Sequence, residues 1–459
     1  MKQPLHKIIF TLTVLGCCAL NAQNQPNTQK SYSFTLEEAI RYGLEHNVEA
    51  AKAQKDVEIR LQQKWEIIAQ GLPQLSGKID YQNYIKQPVN LLPAELSGGE
   101  PGTFTPVTFG TKQNLNGTAT WNQIIFDGSY IVGIQSVKTL LQVTENAKTK
   151  TDLEVKKGII NAYGNVLLAE ENVAILSKNV KSIQKTYNET KATFDNGLAE
   201  EEDVEQLEIT LLTLQNNLNR SKRMQDIAYD MLNITLGLPI ETDLILTEKL
   251  EALTLQYFDL GILEKNIPIE ENIDYRISKN SAESAKIEVK LEKAKALPSL
   301  TGFWNYGFQG NSQDFTFLNS NQKYFQQSVL GISLNVPVFS SSMRSARTQQ
   351  KKIALKQAIL DLEYTRNEVK QQINSAKNEY EYSLENYQVQ KKNLALAERI
   401  ENKNKIKFKE GVASSFELNE AQQQLYSAQQ QYLESMFTVI TAKVELENLL
   451  DTSKYENKQ

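Results

Sequence analysis

The chain has 459 residues, of which 23% are charged and 8% are aromatic, and its 55 acidic residues outnumber its 50 basic residues. The formal net charge of −5 argues against nucleic acid as a partner, because surfaces that bind nucleic acid are basic. The sequence contains no glycine-rich phosphate loop, nucleophile elbow or metal-ligand spacing. We therefore predict a protein that is not an enzyme and that binds no cofactor or metal.

The amino terminus has the pattern of a secretory signal peptide. Lys2 and Lys7 precede an apolar run over residues 8–15, and small residues follow up to Ala22. This pattern predicts a signal peptide over residues 1–22 that is cleaved after Ala22. No run of about eighteen apolar residues follows it, so the sequence offers no candidate transmembrane helix. We therefore expect an exported protein.

A lipoprotein signal is the second interpretation of the same segment. The residues VLGC at 14–17 would form a lipoprotein cleavage box and leave Cys17 as a site of lipidation. The bulky residue before Gly16 and the sequence ALNA that follows favour cleavage after Ala22 instead. Cleavage there removes both cysteines, Cys17 and Cys18, and excludes disulfides and Cys/His metal sites from the exported chain.

The chain contains an internal repeat. The segment GLPQLSGKIDY at 71–81 returns as ALPSLTGFWNY at 296–306, and FDNG at 194–197 returns as FKEG at 408–411. Each copy is predicted to form a helix, a strand, a loop, a second strand, a very long helix, a tight turn and a return helix. The predicted organisation is a first repeat over 23–236, a linker over 237–268, a second repeat over 269–450 and a C-terminal tail over 451–459.

The long helices carry a coiled-coil pattern. From Val155 to Phe194, apolar or small residues recur in alternating steps of four and three, which is the 3.5-residue period of a coiled-coil seam. The helix before the first strand, residues 36–71, begins with Thr35 and Glu38 in the positions of a capping box. This helix and the return helix are each about half as long as the long helix, so we expect them to lie end to end along it.

Four segments alternate apolar and polar residues with the period of a β-strand. The residues predicted to share one face are Leu75, Gly77, Ile79 and Tyr81, then Leu115, Gly117, Ala119 and Trp121, then Leu300, Gly302, Trp304, Tyr306 and Phe308, and finally Leu330, Ile332 and Leu334. Such alternation, with aromatic residues near the strand ends, is typical of barrel strands with lipid on one side and a polar lumen on the other. We predict that Tyr81, Trp121 and Trp304 face lipid.

An antiparallel sheet packed on a soluble core would show the same alternation. The helices, however, use their apolar stripes on one another and leave no face for a sheet. Four strands also leave open edges, which are a liability in water and are not tolerated in lipid. Closure requires about eight strands or more, and three chains would supply twelve.

An ordered set of motifs, duplicated in part, carries a family resemblance. The set comprises FTLEEAI at 34–40, the two Leu-Pro-x-Leu segments that precede strands, IFDG at 125–128 and the two glycine-containing hairpin tips. On these motifs the sequence resembles the TolC family of outer-membrane efflux proteins over nearly the whole exported chain. The resemblance implies a mainly α-helical protein with a membrane β-barrel. Duplicated coiled-coil hairpins would form a periplasmic tunnel, and four strands per chain would contribute to a trimeric twelve-stranded barrel.

The resemblance also implies a function and its partners. Proteins of this family are exit ducts of tripartite efflux or type I secretion systems, located in the outer membrane of Gram-negative bacteria with the helical part in the periplasm. Small molecules or proteins would be exported. The implied partners are two further copies in a homotrimer, a periplasmic membrane-fusion adaptor, an inner-membrane pump of RND or ABC type, and outer-membrane lipid. Residues 237–266, together with the C-terminal tail, would form an equatorial collar, and the loops 87–112 and 311–323 would face outside the cell.

The two hairpin tips are the implied adaptor-docking sites. The tip residues are Gly197 and Leu198 in the first copy and Gly411 and Val412 in the second. Each glycine follows a long helix and suits the left-handed position that ends many helices.

Acidic residues that follow the tips match the periplasmic gate of the family. Glu417 and Glu420 take the positions of its acidic rings, which are aspartates in the family, and Asp203 matches the acid of the first hairpin. A local explanation is also open. Ser414 and Glu417 form a predicted capping box, and acids in the first turn of a helix are favoured by its dipole.

Two other classes of protein remain as alternatives. A periplasmic adaptor would also be exported and helical, but it would have one hairpin flanked by lipoyl-like β-halves, which this duplicated chain lacks. A soluble coiled-coil scaffold would not explain the four alternating strands.

Overall fold

The computed structural model describes residues 31–450 except 266 and 267. The predicted signal peptide with Cys17 and the predicted tail, 451–459, lie outside the described residues. The α-helices are, in chain order, α1 (Leu36–His46), α2 (Val48–Ala69), α3 (Gly128–Asp195), α4 (Glu201–Leu236), α5 (Leu250–Gln256), α6 (Gly261–Glu264), α7 (Ile273–Ala294), α8 (Met343–Lys409) and α9 (Ser415–Leu450).

The strands form one large sheet and two small ones. They are β1 (Tyr32–Phe34), β2 (Gln74–Asn83), β3 (Val89–Pro93), β4 (Phe104–Thr108), β5 (Gln113–Asp127), β6 (Leu244–Leu246), β7 (Ser299–Ser312) and β8 (Tyr324–Asn335). The large sheet is antiparallel in the order β2-β5-β7-β8, while β1 pairs with β6 and β3 pairs with β4. The sequence predicted the four long strands but not the short ones, and β3 and β4 lie within the segment expected to be a loop.

The two halves of the chain have helices of matching length. The long helices α3 and α8 have 68 and 67 residues, the return helices α4 and α9 have 36 each, and α2 and α7 have 22 each. The prediction of a mainly helical, internally duplicated fold with long hairpins is therefore confirmed. Within residues 31–265 and 268–450, no helix is both long enough and apolar enough to cross a membrane.

The chain folds into two compact units, each of which takes segments from both halves. The hairpin unit contains residues 31–47, 158–259 and 383–441, and the sheet unit contains 48–157, 260–382 and 442–450. Because α3, α8 and α9 each contribute residues to both units, the compact units and the predicted repeats divide the chain differently.

The strand register of the sheet unit places the predicted apolar residues on one face. Trp121 of β5 lies opposite Trp304 of β7, and this row continues to Leu75 of β2 and Leu330 of β8. Residues directly opposite one another share a face of a sheet, and every second residue along a strand returns to it. The predicted set from all four strands therefore lies on one side of the sheet, including Tyr81.

Aromatic rings lie over glycines on neighbouring strands of this sheet. A Cβ atom at Gly117 would approach the ring of Phe308 to 2.3 Å, and one at Gly331 would approach the ring of Phe303 to 2.5 Å. Each pair is directly opposite in the register. The glycines therefore leave room for rings that cross from one strand to the next, which helps to fix the strand register.

The core of the hairpin unit is the packed seam between helices. Ile183 of α3 packs with Leu211 and Leu214 of α4, and Ala397 of α8 packs with Leu425 and Ala428 of α9. These contacts follow the 3.5-residue pattern of the sequence, so each long helix and its return helix pair through the predicted seam.

The prediction of a single helix over residues 36–71 is wrong in one respect, because the segment forms two helices, α1 and α2. Asn47 interrupts it with φ −60° and ψ 136°, an extended conformation between α1 and α2. In the hairpin unit, the Asn47 side-chain amide donates to the carbonyl of Thr235, 2.8 Å away, near the C-terminus of α4. The break thus places an amide donor at a helix end, where carbonyl groups otherwise have no partner.

Asn272 takes the same position in the sheet unit. Its φ and ψ are −60° and 137°, and its amide donates to the carbonyl of Leu449 at 2.8 Å near the end of α9. Its Oδ1 atom accepts from the backbone N–H groups of Asp274 and Tyr275 at the start of α7. One side chain therefore joins the end of α9 to the start of α7.

Candidate functional site

The two long helices end in the same backbone motif. At the end of α3, the N–H of Leu198 donates to the carbonyl of Thr193 and the N–H of Gly197 donates to that of Phe194. This bond pattern is a Schellman motif, and it requires the left-handed conformation that Gly197 has, with φ 73°. A glycine at this position avoids the strain that a side chain would bring.

The end of α8 repeats the motif at the second tip. Val412 donates to Lys407 and Gly411 donates to Phe408, with φ 69° at Gly411. Beyond the two glycines, the apolar side chains of Leu198 and Val412 are 80% and 75% exposed, and Phe416 is 67% exposed. Each tip therefore presents uncovered apolar side chains on a hydrogen-bonded turn, as a docking surface would.

Glu417 has a local role at the start of α9. Its carboxylate accepts from the backbone N–H of Ser414 at 3.0 Å, and its own N–H donates to the Ser414 hydroxyl at 3.3 Å. These two bonds form the predicted capping box. The carboxylate remains exposed, so it can cap the helix and still present charge to solvent.

Asp203 lies against the same helix start, although it belongs to the other hairpin. Its Oδ1 atom accepts from the backbone N–H of Ser415 at 3.3 Å. The structure therefore brings Asp203 and Glu417 together at the N-terminus of α9, where the helix dipole favours negative charge. Glu420 lies one turn further along, is exposed, and has no hydrogen-bond or ion-pair partner among the residues that the structure describes.

The two hairpins are joined by a series of polar side-chain pairs within the hairpin unit. They are Asn179–Gln429 at 2.8 Å, Thr210–Asn419 at 3.2 Å, Ser182–Lys405 at 2.7 Å and Glu189–Lys409 at 2.8 Å. The hydrogen bond from Lys409 lowers the pKa of the Glu189 carboxyl. These pairs were missed by the sequence analysis. The steps of four, three and seven residues between Ser415, Asn419, Gln422 and Gln429 on α9 are the signal that could have revealed them.

One member of this polar face of α9 has no partner. Gln422 is 1% exposed, and neither atom of its side-chain amide forms a hydrogen bond within the described part of the chain. It lies between Asn419 and Tyr426 on the helix side that faces the first hairpin, since Asn419 bonds Thr210 and Tyr426 packs on the Ile183 cluster. An amide buried without partners costs stability.

The apolar face of the sheet is the second candidate surface. The side chains of Leu75, Ile79, Leu330 and Ile332 are all more than 70% exposed, and Trp304 is 44% exposed. An exposed apolar surface of this extent marks a site of interaction with lipid or with another protein. Its aromatic members Tyr81, Trp121 and Trp304 lie where the sequence placed them, on one side.

The chain is similar to known proteins along most of its length. A family model described as "Outer membrane efflux protein" matches residues 270–452. The alkaline protease secretion protein AprF of Pseudomonas aeruginosa is 23% identical over 286 residues, which cover 62% of this chain and 58% of that protein. The outer membrane protein TolC of Vibrio cholerae is 20% identical over 346 residues, which cover 74% of this chain and 77% of that protein.

Solved structures share the fold. The outer membrane channel CmeC of Campylobacter jejuni gives a TM-score of 0.71 at 17% identity, covering 92% of this chain and 88% of CmeC. The outer membrane protein VceC of Vibrio cholerae gives a TM-score of 0.67 at 14% identity, covering 90% of this chain and 95% of VceC. The duplicated hairpins and the four-stranded sheet are thus the fold of outer-membrane channels.

The fold and the similar proteins define a class, that of outer-membrane efflux and secretion channels. Residues 270–452 resemble the outer membrane efflux protein family, in agreement with the resemblance to the TolC family, and the chain is a protein of the Gram-negative outer membrane. The family is one of transport ducts and not of enzymes. These similarities support neither a periplasmic adaptor nor a soluble scaffold.

Proposed function

We propose that this protein is the outer-membrane exit duct of a tripartite efflux or type I secretion system and that it performs no covalent chemistry. The observation that carries the proposal is the combination, in one chain, of a sheet with one exposed apolar face and two long hairpins whose tips have the same hydrogen-bond pattern. The sheet would sit in the membrane, and the tips would meet the periplasmic machinery.

Three copies would close the sheet into a barrel. The edge strands β2 and β8 each leave one row of backbone groups without a partner in the four-stranded sheet. Within a membrane such groups require partners, because no water is available to them. Pairing of β2 in one copy with β8 in the next would give twelve strands and remove every edge.

The helices also carry surfaces suited to a neighbouring copy. On α4, an exposed apolar stripe comprises Ile209, Leu212, Met224, Ile227, Met231 and Ile234. On α8, the exposed apolar residues within the hairpin unit are Val389, Leu396, Ile400 and Ile406. Spacings of three, four and seven residues place most members of each set on one side of its helix. The α4 stripe of one copy would contact the α8 stripe of the next. Because the two surfaces differ, each copy would offer one surface to each neighbour, and three copies would form a closed ring.

The hairpin tips would dock a periplasmic membrane-fusion adaptor, and through it an inner-membrane pump of RND or ABC type. The exposed side chains of Leu198 and Val412 on their ordered turns support this role. The similar proteins include a secretion protein and efflux pump components, so small molecules and proteins are both candidate cargo.

The acids near the tips would form the periplasmic gate. Glu420 is the strongest candidate, because it is exposed and free of local bonds within the described residues. Glu417 and Asp203 would contribute charge while they also hold the start of α9. Rings of carboxylates at a narrow opening attract cations and resist anions.

The proposal is tested by membrane fractionation followed by native mass spectrometry of the protein purified in detergent. We expect an outer-membrane protein with the mass of three chains, which opens ion-conducting pores when reconstituted in planar bilayers. A soluble periplasmic monomer that forms no pores would contradict the proposal.

A further inference from the structure

The loop between β7 and β8, residues 313–323, folds back onto the sheet. The Tyr324 hydroxyl donates to the carbonyl of Phe317 at 2.7 Å, and the Thr316 hydroxyl bonds the side chains of Ser312 and Gln322. Phe317 is only 6% exposed. The loop is therefore an ordered structure with its own hydrogen bonds.

The loop packs on the apolar face of the sheet. A Cβ atom on Gly310 would lie 2.7 Å from the ring of Tyr324 and 3.3 Å from the ring of Phe317. Gly310 lies six residues after Trp304 on β7. Because side chains an even number of residues apart point to the same face of a strand, a Cβ atom on Gly310 would point to the face that carries Trp304. Both rings therefore cover the side of the sheet that carries Trp304.

Further aromatic contacts extend this cover across the sheet. The Tyr81 ring makes edge contacts with Phe315 at 5.7 Å and with Phe317 at 5.9 Å between ring centroids. Phe315 and Phe317 contact each other at 5.6 Å. The outward surface of this cluster is apolar, because Phe315 is 58% exposed and Leu318 is 88% exposed.

The position of the cluster matches one boundary of a membrane. From Leu300 to Gly310 the apolar face of β7 runs ten residues, about 33 Å at about 3.3 Å per residue. A strand tilted by about 40° would reduce this length to a height of about 25 Å, the height of the apolar band of outer-membrane barrels. Such bands end in aromatic girdles at the interface with the polar headgroups.

We propose that Phe315 and Leu318, carried on this ordered loop, insert at the boundary between headgroups and acyl chains of the outer leaflet and anchor the protein in lipid. This inference rests on the proposed function, since it requires the sheet to be in the membrane. The loop would then belong to the membrane anchor and not to the open mouth of the channel. Tyr81, Phe317 and Tyr324 would hold it against the sheet.

Spin labels test the proposal. The only cysteines of the chain are Cys17 and Cys18, in the predicted signal peptide, so a single introduced cysteine can be labelled with a nitroxide in the processed protein. The variants are Phe315→Cys and Leu318→Cys in proteoliposomes. Leu330→Cys, on the same face of the sheet, is the lipid control, and Gln309→Cys, exposed on the opposite face beside the cluster, is the water control.

Collisions with oxygen report lipid, and collisions with a water-soluble nickel chelate report water. We expect the oxygen-to-nickel accessibility ratio at positions 315 and 318 to shift toward that of position 330 and away from that of position 309. Nickel accessibility at 315 and 318, with lipid accessibility at 330, would overturn the inference and leave the proposed function intact. Protection from both reagents with spin–spin broadening between subunits would overturn it in favour of a neighbouring copy. Nickel accessibility at 330 would overturn the membrane assignment of the sheet itself.

Discussion

Asn47 and Asn272 make the same hydrogen bond in the two halves of the molecule. Each donates its side-chain amide over 2.8 Å to a carbonyl near the end of a return helix, that of Thr235 or of Leu449. Each also has the same extended backbone conformation, with ψ of 136° and 137°. The sequence duplication therefore repeats one structural role. In each half, an asparagine amide donates a hydrogen bond to a carbonyl near the end of one helix, at the point where the next helix begins.

The double role of Asn272 gives the first prediction. Asn272→Ala should destabilise the junction by about 0.5–2 kcal/mol, the usual cost of losing a cap. Asn272→Asp should destabilise the junction less than Asn272→Ala. The carboxylate can still accept from the N–H groups of Asp274 and Tyr275, so only the bond to the carbonyl of Leu449 is lost. Hydrogen exchange measured by mass spectrometry should become faster in peptides from the start of α7 and the end of α9. The exposed Asn402→Ala on α8 is the control, and equal exchange in both alanine variants would contradict the cap.

The second prediction concerns the row that contains Trp121 and Trp304. On β7, Trp304 lies four residues beyond Leu300, about 13 Å along the strand, which places it near the middle of the proposed apolar band. Trp304→Arg or Trp121→Arg should therefore cost about 2–4 kcal/mol and reduce trimer assembly. Thr118→Arg, on the opposite face, should assemble normally. Detergent-resistant trimers separated by electrophoresis give the measurement, and greater damage from Thr118→Arg would invert the assignment of the faces.

The sequence was sufficient for the features that follow a period. Alternation placed Tyr81, Trp121 and Trp304 on one face, and the 3.5-residue repeat located the seam of the long helix that includes Ile183. Hydrogen bonds between residues close in sequence could also be predicted, as in the capping box of Ser414 and Glu417. Periodicity alone determines which side of an element is apolar, and in the sheet it excludes registers shifted by one residue.

Features that depend on contacts between distant segments could not be read in this way. Asn47 occurs in a sequence that favours helix on both sides, and its bond to Thr235 joins residues that are far apart in the sequence. The contact of Asp203 with Ser415 joins residues of different hairpins, and the fold of the loop over Gly310 depends on aromatic contacts across strands. Such tertiary contacts override local propensity.

The third prediction concerns the unpaired amide of Gln422. Gln422→Leu should stabilise the hairpin unit by about 1–3 kcal/mol, because leucine removes a buried polar group that lacks partners. Gln429→Leu is the matched control on the same side of α9. It should destabilise the unit, because it leaves the buried amide of Asn179 without its partner. Thermal unfolding followed by far-ultraviolet circular dichroism gives the measurement. A loss of stability in Gln422→Leu would show that this amide has a partner in the assembled protein.

The last prediction separates gating from capping at the start of α9. In Glu417→Gln, the amide oxygen can still accept from the N–H of Ser414, so the capping box and the stability should be retained. Glu420 has no local bond within the described residues, so Glu420→Gln should leave the stability unchanged as well. If the two carboxylates line the opening in three copies, the double variant should form trimers but show lower cation selectivity in planar bilayers. The reversal potential in a salt gradient measures this selectivity, with Glu398→Gln, an exposed acid of α8, as the control for surface charge. A reversal potential of the double variant equal to that of the unmodified protein would leave helix capping as the role of Glu417 and no role in gating for Glu420.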